Sequence, residues 1–180
     1  MIKVREILKK GFTLLEIMVV CCIIVVMTTA GSLTLSGRAE KDGLRELKLK
    51  IPLLIENMSW KSMENGIRYD VEFNFEENFF KVFKEGEVVI RESMPKHFIY
   101  EDINGNRVIK RTTTSTGNMN MPFSIYVFSR DKKKVLYKIT ADTTSPSKCV
   151  IVRKYKPTEE ATVANCKEER LFPRTWKRDI

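Results

Sequence analysis

An uninterrupted apolar segment near the N-terminus restricts the fold more than any other feature of this sequence. Nineteen residues, from Ile17 to Leu35, carry no charge. As an α-helix this segment would be about 28 Å long, close to the thickness of the hydrocarbon core of a bilayer. Basic residues precede it at Lys3, Arg5, Lys9 and Lys10, and such residues favour the cytoplasmic side of a membrane. The sequence therefore predicts a membrane-inserted helix with an exported C-terminal part.

A carboxylate, Glu16, stands at the start of this apolar segment. Burying it in an apolar environment costs several kcal/mol unless it is paired or protonated. Two interpretations give it no role. One is an ordinary signal peptide, for which the small residues Thr28 and Ala30 would precede a cleavage site, and the other is a plain membrane anchor. In a third interpretation a protease cuts between Gly11 and Phe12. The new α-amino group would be a cation about one helical turn from Glu16, in this chain or in a neighbour, and the two charges would stabilise each other.

The stretch from Lys9 to Val20, KKGFTLLEIMVV, resembles the class III signal of type IV pilins and pseudopilins. That signal is a short basic leader ending in glycine, then phenylalanine, then glutamate at the fifth mature position, then an apolar helix. The resemblance implies that prepilin peptidase cleaves after Gly11 and methylates the amine of Phe12, and that Glu16 acts in assembly. It also implies further partners, namely other pilin or pseudopilin subunits and the inner-membrane assembly platform.

A second helical pattern follows the apolar segment. Beyond Gly37 the sequence becomes charged, and apolar residues recur at spacings of 3, 4, 3 and 4, the stripe of an amphipathic helix. The stripe consists of Leu44, Leu47, Ile51, Leu54 and Met58. Pro52 is expected to kink or end this helix, and Gly66 is a helix-stop signal. The predicted divisions are a leader at 1–11, a transmembrane or filament-core helix at 12–36, an amphipathic helix at 37–65 and a β-rich head at 66–180.

The head shows the patterns of short strands. The first predicted strand, IRYDVEFNF, alternates apolar and polar residues. Further strands are predicted at FFKVFK and VVIRE, and the last is predicted at KCVIVRKY. One hairpin is predicted where the apolar runs MPFSIYVFS and VLYKIT flank the polar turn RDKKK. A second hairpin is predicted at the Asn-Gly pair in HFIYEDINGNRVIK. About seven strands after one helix indicate an α+β fold with an antiparallel sheet or sandwich. The order of elements is similar to that of the H-type minor pseudopilins and FimT-type minor pilins, which implies the type IV pilin fold with a head of two small antiparallel sheets.

The sequence lacks the usual motifs of an enzyme. His97 is its one histidine and is expected at a strand end. No glycine-rich loop carries a phosphate-binding lysine, and no nucleophile stands with a base. Asp102–Asn106 has oxygen side chains at alternate positions but lacks the other ligands of a calcium loop, so a hairpin is preferred there. We therefore expect a non-enzyme without cofactor or metal.

The formal net charge is +9, and basic residues cluster in the C-terminal half. Lysine and arginine can neutralise phosphates, and Trp176 could stack on a base. Two alternatives remain: a solvated basic surface, or a DNA-binding head like that of some family members in DNA-uptake pili. The candidate DNA contacts are Lys132, Lys133, Lys134, Arg153, Lys154, Lys156, Arg174, Lys177 and Arg178.

The four cysteines fall into two settings. Cys21 and Cys22 lie in the apolar segment and serve there as small apolar residues. Cys149 and Cys166 lie in the polar C-terminal part. In an exported head they could form a disulfide worth about 3 kcal/mol, whereas in a reducing compartment they would be free thiols.

Three functions follow from these patterns. The first is a minor pilin or pseudopilin in a type IV pilus or a type II secretion pseudopilus, which primes assembly or contacts other minor subunits. Such a subunit starts in the inner membrane as a single-pass protein with its head outside the cytoplasm. The alternative is a DNA-binding minor pilin at the tip of a DNA-uptake pilus. The third is an exported monomer released by ordinary signal cleavage.

Overall fold

The computed structural model describes residues 14–143 and 149–179, without the side chains of residues 30–36. Its contacts divide the chain into two units, Met1–Lys41 and Asp42–Ile180. We call the second unit the head. Helix α1 spans Leu14–Asn65. The strands that follow are β1 (Tyr69–Asn74), β2 (Phe79–Lys84), β3 (Glu87–Ser93), β4 (Phe98–Glu101), β5 (Val108–Thr112), β6 (Phe123–Ser129), β7 (Val135–Asp142), β8 (Ile151–Pro157) and β9 (Trp176–Arg178). A 3-10 turn at Glu169–Leu171 and the short helix α2 (Phe172–Thr175) precede β9.

The predicted amphipathic stripe of α1 is confirmed within the head. Leu47, Ile51, Leu54 and Met58 are buried, and Leu44 is half-buried against the same core. These positions share one side of an α-helix, so burying them holds the helix on the sheets.

The two expected breakpoints of α1 behave differently. Of the two effects expected at Pro52, a kink or an end, the end does not occur, because the helix runs through Pro52 to Asn65. The proline removes one backbone hydrogen bond, whereas packing of the stripe stabilises the turns on both sides of it. Gly66 has φ +67° directly after the last helical residue, so the predicted glycine stop is confirmed.

Two antiparallel sheets form the rest of the head, as expected. The first has the strand order β3-β2-β1-β5, and the second has the order β4-β6-β7-β8-β9. Alternation in β1 places Tyr69, Val71 and Phe73 on the buried side. The predicted hairpin around RDKKK is confirmed, since β6 pairs with β7 across that turn.

The predicted hairpin across the Asn-Gly pair is wrong. Strand β4 pairs with β6, and β5 pairs with β1, so the two flanking strands belong to different sheets. Asp102 shapes the crossing, because its carboxylate accepts hydrogen bonds from the Asn106 backbone N–H at 2.6 Å and from the Asn106 side-chain amide at 2.7 Å. Gly105 supplies a φ of +80°. Gly105 alone takes the left-handed conformation, and the two strands that the segment joins pair with β6 and β1.

Apolar side chains of the head form two clusters. The inner cluster joins the stripe of α1 to the facing sides of both sheets, and Phe73, Phe80, Ile125 and Tyr137 are among its fully buried members. The outer cluster lies on the opposite side of the second sheet. Its buried members are Tyr126, Phe128, Val135, Tyr155, Cys166 and Trp176. The second sheet is thus covered on both sides, which is why β6 and β7 are apolar at successive positions.

The basic C-terminal tail expected from the sequence is instead an integral part of the head. Strand β9 pairs antiparallel with β8 through Tyr155↔Arg178, Lys156↔Lys177 and Pro157↔Trp176. Trp176 is buried, and its indole N–H donates to the Cys166 carbonyl at 2.8 Å. Burial of the Trp176 ring therefore holds an otherwise polar segment against β8 as an edge strand. Because it is buried, Trp176 is not available to stack on a base.

Candidate assembly surface

The described N-terminal part of α1 presents an apolar surface. Every described side chain from Leu14 to Thr29 is exposed, and Glu16 is the charged one among them. The hydroxyls of Thr28 and Thr29 donate hydrogen bonds to the backbone carbonyl oxygens three and four residues earlier, at oxygen–oxygen distances of 2.9 to 3.0 Å. Even these polar groups are therefore satisfied within the helix. The surface is suited to an apolar environment or to apolar partners.

The predicted cleavage and methylation residues, Gly11 and Phe12, lie outside the described residues, whereas Glu16 lies in the first turn of α1. Across the part of the chain that the structure describes, no helix combines the length and the hydropathy that a membrane crossing requires.

The head carries a second apolar surface, which we call the outer stripe: Leu49, Leu53, Trp60 and Met63 of α1. Leu49, Leu53 and Trp60 are exposed by 62%, 57% and 59%. At about 100° per residue these three lie within an arc of about 40° on the helix. That arc is opposite Met58, which packs into the inner cluster. An exposed large apolar side chain is common when isolated, but a set aligned on one helix face is typical of a contact surface.

The outer stripe was not predicted, although the sequence contains a signal for it. Its spacings of 4, 7 and 3 form a second helical period, half a turn away from the core stripe. A helix that is apolar on two opposite faces is typical of one packed on both sides.

Four of the nine predicted DNA contacts already have carboxylate partners. Lys132 pairs with Glu101, and Arg153 pairs with Asp142. Further pairs are Lys133–Asp131 at 3.9 Å and Lys156–Asp179 at 2.7 Å. These contacts favour the interpretation of a solvated, internally compensated surface for that group.

The positive charges of the other five predicted DNA contacts are less compensated by carboxylates. Arg174, Lys177 and Arg178 are exposed around α2 and β9, Lys134 is exposed in the β6–β7 turn, and Lys154 is half-buried on β8. None of these five forms an ion pair with another described residue. The structure therefore divides the candidate set. Arg174, Lys177 and Arg178 have no carboxylate partner among the described residues, and Lys177 and Arg178 point to opposite sides of β9 because successive residues of a strand alternate.

Of the two alternatives for Cys149 and Cys166, a disulfide or free thiols, the structure has free thiols. The Cys149 sulfur lies 3.6 Å from that of Met63 on α1. Cys166 is buried in the outer cluster, and burial raises the pKa of its thiol. The two cysteines pack against different elements, so each fills space as a small apolar residue.

The remaining single residues behave as structural groups. His97 is exposed immediately before β4, as expected for a strand end. Asp102, considered above as part of a calcium-like loop, is buried, and its two carboxylate oxygens accept hydrogen bonds from Asn106.

Comparison with protein families and with curated proteins found no match. Among solved structures, the crystal structure of the type IV minor pilin FimU from Pseudomonas aeruginosa (strain PAO1) is similar to this chain over 62% of its length and 95% of that chain. The sequence identity is 7% and the TM-score is 0.47.

Proposed function

We propose that this chain is a pilin-like filament subunit with a structural, non-catalytic role. The observation that carries the proposal is the sequence Lys9-Lys10-Gly11-Phe12 followed by Glu16, ahead of a helix whose described side chains from Leu14 to Thr29 are all exposed. In the proposed function the chain starts as a single-pass inner-membrane protein. Prepilin peptidase removes residues 1–11 and methylates Phe12. Apolar helix surfaces then pass from lipid to contacts with other subunits.

Glu16 gives the assembly step its selectivity in this proposal. The carboxylate would pair with the Phe12 amine of a neighbouring subunit as the two helices come together in an apolar environment. Two such charges stabilise each other there, whereas removing one leaves the other at a cost of several kcal/mol. The outer stripe of the head supports the same proposal, because it offers a second apolar surface for a neighbouring subunit.

The finer assignment is a minor subunit of the H-type or FimT-type. It rests on the sequence resemblance and on the order of elements in the head, namely a helix followed by two antiparallel sheets. Such a subunit would act in a pilus or a secretion pseudopilus by contacting other minor subunits and priming assembly.

The proposal is tested first by the mass of the mature N-terminus. We expect a chain that begins at a methylated Phe12, and replacement of Gly11 by a bulky residue should leave residues 1–11 attached. A mature start near Gly31 would instead identify an ordinary signal peptide and overturn the proposal.

Assembly is tested separately with Glu16→Ala and Glu16→Gln. Both variants should insert and be cleaved normally, yet be incorporated into filaments less than the natural chain. Lys61→Ala, a change of charge at an exposed head position, serves as the control. Normal incorporation of both Glu16 variants would exclude the assembly role.

A second candidate function is DNA binding at the tip of an uptake pilus. The observation that favours it is the exposed group Arg174, Lys177 and Arg178, which forms no ion pair with other described residues.

A further inference from the structure

Lys138 occupies an unusual position on β7. Its neighbours Tyr137 and Ile139 face the inner cluster, so Lys138 faces the outer cluster. Only 7% of its surface is exposed, although lysine is almost never buried without a charged partner. No carboxylate of the described residues lies within ion-pair distance of its ammonium.

Four aromatic rings surround the Lys138 ammonium. It lies 4.5 Å from the ring centre of Phe172, 5.0 Å from that of Tyr126, 5.8 Å from that of Trp176 and 5.9 Å from that of Tyr155. Ring faces attract a cation, but they offer no hydrogen-bond acceptor comparable to a carboxylate. Burial lowers the pKa of Lys138 to about 8, opposed by the charges of Glu169, Asp142 and Cys166. The group therefore remains mainly charged at neutral pH, in an environment that would favour a bound anion.

Lys138 lines an open cavity of about 570 Å³ on this side of the second sheet. The volume lies in the range of small-molecule sites. Phe123, Tyr155 and Phe172 supply apolar wall, and the hydroxyls of Ser124 and Thr140 supply polar groups 3.2 Å apart.

The charges around the cavity restrict which anion fits. Arg153 is already paired with Asp142, so it adds little net positive charge. Glu169 contributes a further carboxylate to the wall. Lys138 is therefore the cation of the wall left without an ion pair among the described residues. A ligand with two or more negative charges would have this one ammonium to neutralise it and would also meet the carboxylate of Glu169, which is likewise unpaired among those residues.

We propose that this cavity binds a small organic monoanion, with one carboxylate on the Lys138 ammonium and an apolar body against Phe172 and Tyr155. The carboxylate would supply the charged partner that Lys138 lacks among the described residues. The rings would exclude water from the pair and so strengthen it.

Benzoate is a suitable probe, with benzamide as its neutral counterpart and inorganic phosphate as an anion without an apolar body. We expect calorimetric titration of the full chain in detergent to detect saturable benzoate binding. Benzamide and phosphate should each bind at least about tenfold more weakly. The variant Lys138→Met should weaken benzoate binding by a similar factor, while Lys154→Met should leave it unchanged. Lys154 pairs with Ile139 in the β7–β8 register and so lies on the other side of the sheet from Lys138.

The proposal would be overturned by equal binding of benzamide, by equal binding of phosphate, or by benzoate binding that survives in Lys138→Met. Absence of saturable benzoate binding up to about 10 mM, the range of very weak ligands, would also overturn it. Loss of binding through unfolding is distinguished by the near-ultraviolet circular dichroism of Trp176, which the outer cluster holds in place.

Discussion

The hydroxyl of Tyr137 donates a 2.9 Å hydrogen bond to the carboxylate of Asp179. The same carboxylate accepts from Lys156 at 2.7 Å and from Lys48 of α1 at 3.4 Å. Burial alone would raise the pKa of Asp179, but the hydrogen bonds from Lys156 and Tyr137 and the charge of Lys48 outweigh burial and lower it. One side chain thus joins the end of β9 to β7, β8 and the helix.

Asp179→Asn should destabilise the head. The change removes the charge that three donors share, and we expect the free energy of unfolding at pH 7 to fall by about 1 to 3 kcal/mol. Because the folded pKa lies below the usual 3.8, the contribution of Asp179 is present above that pH and is lost as the pH falls below it. Urea unfolding at pH 7 and pH 3 measures both effects. Glu168→Gln, at an exposed pair with Arg170, is the control and should change stability by less than about 0.5 kcal/mol.

Lys138→Met should have the opposite effect. Methionine fills the same space without a desolvated charge, so we expect stability at pH 7 to rise by about 1 to 3 kcal/mol. In the natural chain the pKa of Lys138 is lowered from 10.5 to about 8, so the unfolded state binds more protons above pH 8 and stability should increase as the pH rises from there. Chemical unfolding between pH 7 and about 9.5, before tyrosine titration intervenes, measures this increase. If the free energy of unfolding depended on pH in the same way in the natural chain and in the variant, burial of Lys138 would not be the cause of its lowered pKa.

Gly117→Ala should be strongly destabilising. A Cβ at Gly117 would lie 2.7 Å from the Ser59 carbonyl oxygen and 3.2 Å from the Cys149 sulfur, on a backbone with φ +77°. Gly86 has a similar φ of +88° but open space around it, so Gly86→Ala is a matched control for backbone strain alone. We expect Gly86→Ala to cost about 1 kcal/mol and Gly117→Ala about 2 to 3 kcal/mol more. Thermal unfolding of the two variants measures the difference, and equal values would exclude the clash.

Trp60→Glu should separate folding from assembly. Trp60 is exposed on the outer stripe, so the head should unfold at nearly the same urea concentration as the natural head. A charge in an apolar contact must be desolvated, and we expect incorporation into filaments to fall severalfold in cells that make them. Asn57→Glu places the same charge at another exposed position of α1, beside the outer stripe, and should have a smaller effect. If both variants assemble like the natural chain, the outer stripe is not a contact surface.

The DNA-binding alternative predicts unequal effects of two double substitutions. Removing Lys177 and Arg178 should weaken binding more than removing Lys132 and Lys133, because the latter two already pair with Glu101 and Asp131. Fluorescence anisotropy across a salt series measures this. The slope of log affinity against log salt should become shallower by about 0.9 for each phosphate that the variant no longer neutralises. Equal effects of both double substitutions would indicate a general response to net charge.

Local patterns in the sequence were sufficient to predict the helix stripe, its glycine stop and most strands. Leu47, Ile51, Leu54 and Met58 are buried because their spacing follows the helical period. The error at the Asn-Gly turn has a different origin. The turn residues are local, but the partners of β4 and β5 are β6 and β1, and strand pairing between distant segments is not encoded in the turn.

The candidate sites also differ in whether their residues are close together or far apart in the sequence. Glu16 could be identified from its position after Gly11 and Phe12, since the pattern is contiguous. The setting of Lys138 could not be predicted, because two of its four surrounding rings, Phe172 and Trp176, come from a segment more than thirty residues later. The burial of Trp176 in the outer cluster could not be predicted for the same reason.

The position of Asp179 also affects the timing of folding. Its hydrogen bond with Lys48 spans 131 positions of sequence, so the head must close a very long loop before this bond forms. Closing such loops makes folding slow. Until β9 is in place, the outer cluster lacks Trp176 as its cover. A head that has not yet made this closure is therefore the form of the chain most exposed to proteases and to aggregation.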